Sequence, residues 1–376
     1  MPTPLEEKIR DLVNVNGPIS VADYFALCLA DPEYGYYKTR DPFGHEGDFI
    51  TAPEVSQLFG EMLGIYLVQS WQKHMPQGPI RLVEIGPGRG TLMADALRVI
   101  SQTQKDHMEN LTIHMVETSP KLRGTQSETL AAYKDKIHWH DTFEDVPDGF
   151  ILLVANELFD AIPIRQFVKT DTGYRERMVT VDADDQLDFT VGVAGIDPEL
   201  LPENHKDQPI GTIFEIAPAR ANVMASIAAR LSEQGGSALI IDYGHLAVGF
   251  GDTLQAVRKH DYDHPLASPG IADLTSHVDF ETLMRISHAS GAHIHGVMHQ
   301  GDFLVGLGLL QRAGALGHNK DHETQQEIRS AVERLAGEGQ GNMGELFKVL
   351  AISGSPIQLI PFIAGDTISN EENHPN

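Results

Sequence analysis

The sequence predicts an α/β chain: a mostly parallel, Rossmann-like sheet with a helical N-terminal cap and inserted segments. Three observations carry that prediction. The apolar run Arg81-Leu82-Val83-Glu84-Ile85 ends in Gly86-Pro87-Gly88-Arg89-Gly90 and then in a helical pattern. That is a strand, a tight glycine turn and a helix N-terminus. Three further apolar runs each end in polar residues, and strand-like and helix-like periods alternate from residue 79 onward, as expected of helices packed on a parallel sheet.

Each element can be justified in order. Residues 1–78 read as the helical cap, with apolar-periodic segments at 5–15 and 21–29 broken by Gly17-Pro18. A turn-rich stretch then runs into Gly47-Asp48-Phe49-Ile50-Thr51-Ala52-Pro53-Glu54. One longer helix is expected over 54–73, started by Pro53. The sheet domain is expected over 79–366, with strands at 81–85, 111–117, 137–140 and 150–155. Segments 164–170, 174–181 and 187–193, separated by acidic turns such as Asp182-Ala183-Asp184-Asp185, form a β insertion over about 164–215. They are expected as antiparallel pieces added to that sheet or its edge. A helix over 218–234 leads to a strand at 238–244, and a helix over 279–290 leads to a strand at 292–298. Residues 303–352 read as a helical insertion. A last strand at 357–362 is expected to pair antiparallel with 292–298. Residues 367–376 read as a disordered tail.

Composition excludes several classes. The chain has 376 residues, 41% hydrophobic and 22% charged, ordinary for a globular protein. No apolar run reaches ~18 residues, so no transmembrane helix is expected. The N-terminus shows neither a signal-peptide core nor an Arg-rich presequence. Cys28 is the single cysteine and lies in an apolar helical pattern; it reads as a core residue in a reducing compartment. The net charge of −25 argues against nucleic acid, which needs clustered Lys and Arg. An acidic surface can steer a basic protein segment inward, or serve solubility alone.

The turn favours S-adenosylmethionine (SAM) over a dinucleotide. Its spacing is G-x-G-x-G rather than G-x-G-x-x-G. Pro87 offers no N–H to a pyrophosphate. Glu84, two residues before Gly86, would repel phosphate but suits the ammonium of a methionine moiety. Expected contacts are Glu84, Gly86, Gly88, Gly90, Thr91 and Leu92 around the turn, then Glu117 and Thr118 after the second strand. A carboxylate at Glu117 can accept both ribose hydroxyls. Asp141 and Thr142, after the third strand, could meet the adenine edge. Ordinary turn roles are the alternative for these residues taken singly. An NAD-dependent dehydrogenase is the competing class.

Further motifs add a resemblance. Beside the glycine turn stand Val116-Glu117-Thr118-Ser119-Pro120, Asn156-Glu157-Leu158-Phe159-Asp160-Ala161-Ile162-Pro163 and the Gly47–Glu54 stretch. With them go Asp242-Tyr243-Gly244, the 270–280 segment beginning Gly270-Ile271-Ala272-Asp273, and Met343-Gly344-Glu345-Leu346-Phe347-Lys348. Together they resemble the MidA family of class I SAM-dependent methyltransferases from about residue 4 to about residue 361. That resemblance implies SAM as cofactor and methylation of a protein arginine. Mitochondrial members assist assembly of respiratory complex I and dimethylate an arginine of a core subunit. The missing presequence implies a bacterial, cytoplasmic member. Another protein or small-molecule acceptor, or a SAM-binding assembly factor without catalysis, is the alternative.

Glu157, Asp160 and Asn156 follow the fourth strand, where the donor methyl should point. Two carboxylates three apart would share one face of a helical turn and could hold a guanidinium; capping a helix N-terminus is the other reading. Asp242 closes the fifth strand and either lines the acceptor pocket or makes a turn with Gly244. By the resemblance, Asp48, Phe49 and Thr51 lie over the cofactor. The histidines at His260, His264, His293 and His295 lack a metal-binding motif, and no metal is expected.

Overall fold

A computed structural model of the chain describes residues 2–39, 51–258 and 261–362. They group into two compact units. One comprises Met1–Phe49, Asp160–Asn222 and His245–Asp279, the other Ile50–Phe159, Val223–Gly244 and Phe280–Asn376.

The second unit is built on the expected sheet. Its strands are β1 (Ile80–Ile85), β2 (Leu111–Val116), β3 (Ile137–His140), β4 (Phe150–Asn156), β5 (Gly236–His245), β6 (His293–His299) and β7 (Phe347–Ser353). They lie side by side in the order β3-β2-β1-β4-β5-β7-β6. The pairs β1–β2, β1–β4, β2–β3 and β4–β5 are parallel, while β7 runs antiparallel to both β5 and β6. Strand order reverses direction between β1 and β4, and ligands on such sheets bind outside the strand carboxyl ends at that point. The strands read as near-continuous apolar runs because both faces are covered; β4 is buried from Phe150 to Ala155.

Two expectations for this unit need correction. The reversed strand is Phe347–Ser353, inside the segment expected to be helical, and not 357–362. Val349, Leu350, Ala351 and Ile352 are fully buried, whereas Pro356 and Pro361 break the later run by removing ladder donors. Only an isolated Leu359–Phe362 bridge forms there. The helical insertion is therefore Gln300–Gly306, Leu309–Gly317 and His322–Ala336. The single helix expected over 54–73 is instead a turn, Ala52–Val55, and a helix, Gln57–His74. Ser56 stands between them in extended conformation, its hydroxyl accepting from Leu58 N–H.

Helix Gln57–His74 belongs with the sheet and not with a cap ending at residue 78. Leu58, Phe59, Met62, Leu63, Tyr66 and Leu67 share one core with Leu82, Leu97 and Leu152. Gly64 lets it approach helix Thr91–Thr103 closely: a Cβ there would lie 2.8 Å from the Ala96 carbonyl. Glu61, on the same helix, is fully buried yet bonded to Arg98 at 3.1 Å and Arg312 at 2.7 Å, so the buried charge is compensated.

The first unit opens with helices Pro4–Asn16 and Val21–Ala30. Thr3 and Glu6 form a reciprocal capping box on the first, and Ser20 caps the second. Strands Arg165–Thr170, Gly173–Val181, Leu187–Gly195 and Ile213–Ile216 make a separate antiparallel sheet with Ile19–Ser20, not an extension of the main one. A three-stranded sheet of Gln255–Arg258, Asp261–Asp263 and Asp273–Thr275 was missed by the sequence reading. Cys28 is fully buried, and burial pushes its thiol pKa up to about 12, in keeping with a packing role. Among the described residues, no helix is long and apolar enough to cross a membrane.

Candidate active site

The glycine turn follows β1. Gly86, Gly88 and Gly90 take φ of +69, +50 and +80°, conformations that L side chains rarely adopt. Gly86 is exposed, while Pro87 packs inward. Helix Thr91–Thr103 starts after Gly90 without a side-chain cap from that residue. The cap comes from β1: the Glu84 carboxylate accepts the Met93 N–H. Its Oε2 is buried and has no hydrogen-bond partner among the described residues. Burial raises the Glu84 pKa to about 8, with the Met93 bond pulling the other way. Leu92 is buried behind the turn.

At the end of β2, Glu117 is largely spoken for by its own loop. Ser119 N–H donates to Oε1 at 2.7 Å and Gln126 Nε2 to Oε2 at 3.4 Å; burial raises its pKa. Thr118 is exposed beside it. Gln126 is the residue that sequence reading missed. It is fully buried on helix Pro120–Thr129, donates to the Gly88 carbonyl at 2.8 Å and accepts from Trp139 Nε1 at 2.8 Å. It thus ties the glycine turn to β2 and β3. Its one signal in the sequence is its place four residues after Leu122, on the inward face.

The third strand end is more exposed. Asp141 pairs with Arg123 at 2.7 Å. Thr142 spends its hydroxyl and N–H on Asp145, capping the short turn Phe143–Asp145.

The end of β4 carries the sharpest backbone feature. Glu157 has φ +49°, uncommon for a residue other than glycine, and such outliers cluster at functional sites. Its N–H donates to the Ile241 carbonyl at 2.9 Å. Its Oε1 accepts from Asn156 Nδ2 at 3.1 Å and from Ala52 N–H at 3.3 Å. Asn156 Oδ1 is buried without a partner among the described residues. Asp242, fully buried at the end of β5, accepts Phe159 N–H at 2.9 Å and Tyr243 N–H at 3.0 Å, so it holds the 156–159 turn from below.

No helix follows β4, and the expected pairing of Glu157 and Asp160 on one helical face does not form. The left-handed backbone at Glu157 turns the chain away. Asp160 belongs to the first unit, where its carbonyl accepts from Arg220 Nη2 and Ser276 N–H at 3.1 Å each.

The turn Ala52–Val55 completes the site. Thr51 stands at its N-cap without a side-chain capping bond. Glu54 Oε1 accepts from Thr91 Oγ1 at 2.8 Å, and Glu54 Oε2 lies 3.6 Å from Arg89 Nη1. The expectations for Asp48 and Phe49 lie outside the described residues.

Residues 62–298 match the profile of a family described as S-adenosyl-L-methionine-dependent methyltransferases. The chain belongs to this family. It is 36% identical to the mitochondrial "Protein arginine methyltransferase NDUFAF7 homolog" of Drosophila melanogaster, over 93% of this chain and 84% of that protein. It is 35% identical to the mitochondrial "Protein arginine methyltransferase NDUFAF7" of Danio rerio, over 89% and 83%. A protein from Burkholderia thailandensis, solved with S-adenosyl-homocysteine (SAH) bound, superposes with a TM-score of 0.82 at 27% identity over 96% of each chain. The sheet is accordingly the class I methyltransferase sheet, and the cofactor of this methyltransferase is SAM.

The residues present fit that cofactor. Gly86 leaves an uncovered turn that a side chain would crowd, since a Cβ there would meet Leu158 Cδ1 at 3.1 Å. Two buried acceptor oxygens, Glu84 Oε2 and Asn156 Oδ1, have no partner among the described residues at the ends of β1 and β4, and buried acceptors are normally satisfied. Both suit the cationic, donor-rich methionine end of the molecule.

Proposed function

We propose that this methyltransferase acts on a guanidinium nitrogen of a protein arginine, with Glu157 as the carboxylate that receives it. The observation that carries this reading is the fixed Glu157 side chain: a left-handed backbone at the end of β4, with Oε1 held by both Asn156 and Ala52. The names of the fruit-fly and zebrafish relatives support the acceptor class. Asp160 loses its part, because the paired-carboxylate geometry is absent.

Glu84, the Gly86–Gly90 turn and Glu117 would hold SAM, with Gln126 fixing the turn against Glu117. The bound cofactor supplies an electrophilic sulfonium methyl for in-line transfer. The chain must then present a nitrogen lone pair to it. A guanidinium is cationic and delocalised. Glu157 draws positive charge toward the nitrogens it contacts and leaves the remaining nitrogen richer in electrons. As the N–C bond forms, the methyl–sulfur bond would break and leave a neutral thioether, and the methylated guanidinium would lose a proton to the Glu157 carboxylate from a nitrogen that carboxylate contacts. Asn156 and Asp242 keep the turn in place, and orientation of this kind supplies a large share of catalysis. The net charge of −25 draws a basic segment inward. We place the acceptor on a core subunit of respiratory complex I, following the resemblance to the MidA family.

The deciding experiment is deletion of the gene followed by mass spectrometry of purified complex I and of total protein. One methylarginine disappears, and wild type restores it where Glu157→Ala does not. Loss of some other methyl mark, with methylarginine unchanged, rejects the reading.

A further inference from the structure

We propose that Glu54 is a positioning residue that couples the glycine turn to Glu157 through the short segment Ala52–Val55. The proposal rests on the role given to Glu157 above. At one end, Glu54 Oε1 accepts from Thr91 Oγ1 at 2.8 Å, and Arg89 faces its other oxygen at 3.6 Å. Thr91 is the first residue of the helix that the glycine turn launches, and Arg89 lies within that turn. At the other end, Ala52 N–H donates to Glu157 Oε1 at 3.3 Å.

The segment between is short and internally tied. Glu54 and Val55 N–H both donate to the Thr51 carbonyl, at 2.9 and 3.2 Å. Ala52 is fully buried. The extended Ser56 separates this turn from helix Gln57–His74, so the turn is not locked to that helix by a continuous hydrogen-bond ladder. The Ala52 bond, at 3.3 Å, lies just beyond the usual range for N–H···O, where a small displacement strengthens or breaks it. Glu157 Oε1 is therefore fixed from two sides. The Asn156 side is part of the sheet, and the Ala52 side follows the glycine turn. A displacement of Thr91 or Arg89 is passed to the carboxylate that faces the acceptor.

The test uses SAH as the ligand and the full chain, with binding read by calorimetry and hydrogen exchange read in segments 51–57 and 156–159. In wild type, SAH slows exchange in both segments. Glu54→Gln keeps an acceptor for Thr91 and behaves as wild type. In Glu54→Ala and Thr91→Val, SAH binds about tenfold more weakly, and segment 156–159 no longer responds at saturating SAH. Thr91→Val approaches the bond from its other partner, which keeps the test decisive should Glu54→Ala fold poorly. Undiminished SAH protection of 156–159 in these variants overturns the coupling. So does its loss in Glu54→Gln, because the Thr91 bond would then not be the link. None of these readings needs an acceptor. A wild-type chain that transfers no methyl group to arginine would end the function proposed above and leave this measurement standing.

Discussion

The side-chain amide of Gln126 donates to the Gly88 carbonyl across 2.8 Å. The same side chain reaches Glu117 and accepts the indole N–H of Trp139, so one buried residue braces three strand ends. Replacing it with Leu keeps the bulk and removes every one of these bonds. The expected cost is about 1–3 kcal/mol of stability, from the half-buried Trp139 N–H and Gly88 carbonyl left without this partner. SAH affinity should fall about tenfold or more. Calorimetry and urea unfolding of Gln126→Leu check both; unchanged SAH affinity would show that the brace does not shape the turn.

Gly86→Val should remain folded and lose SAH binding. The residue is exposed with φ +69°, so the strain falls on the turn and not on the core. A β-branched side chain there both resists the backbone and fills the approach to the turn. Binding of SAH at wild-type strength by a folded variant contradicts the placement of the cofactor.

Glu157 separates stability from turnover. Glycine takes φ +49° without the steric cost that a Cβ meets there, which offsets the lost bonds from Asn156 and Ala52, so Glu157→Gly should stay within about 1 kcal/mol of wild-type stability. Turnover should nevertheless drop about a hundredfold or more, with SAM affinity nearly constant. If Glu157 only shaped the turn, the glycine variant would keep its activity.

Stability of the ligand-free chain should peak at weakly acidic pH, with two named groups on opposite limbs. Burial, then the neighbouring His140 and His138, pull the His114 pKa to about 3 from 6.5. The unfolded chain therefore binds a proton that the folded chain refuses, and stability falls as pH drops from 6.5 toward 3. Glu84 runs the other way. Its pKa is raised from 4.5 to about 8, so the folded chain holds the extra proton. That contribution is complete below 4.5 and is lost as pH rises through about 8. Urea unfolding across this range should show His114→Gln flattening the acid limb and Glu84→Gln the alkaline limb. Parallel curves for wild type and variants would refute the assignment.

Much of this was legible in the sequence because it is local. The strands at 80–85, 111–116, 137–140 and 150–156 are short apolar runs with clear ends, and the glycine turn announces itself. What stayed hidden is non-local. The place of Phe347–Ser353 depends on which strands flank it, and its apolar run reads equally as a buried helix. Gln126 and Glu54 look like surface residues until the fold turns them toward Gly88 and Thr91. Pairing Glu157 with Asp160 needs a helix after β4, and the positive φ that prevents it leaves no mark in residue type.

The internal position of β7 also sets when the sheet can be completed. Among the described residues, the last strand in the sequence lies between β5 and β6, so β6 has no neighbour in the sheet until residues 347–353 have emerged. During synthesis both β5 and β6 present open edges while the intervening helices are made, and open edges recruit other chains. Pairing over this sequence separation is slow because the intervening loop must close first. A chain cut between residues 299 and 347 would carry two unsatisfied edges in place of one missing strand. Aggregation, more than loss of binding, is the failure such truncations should show.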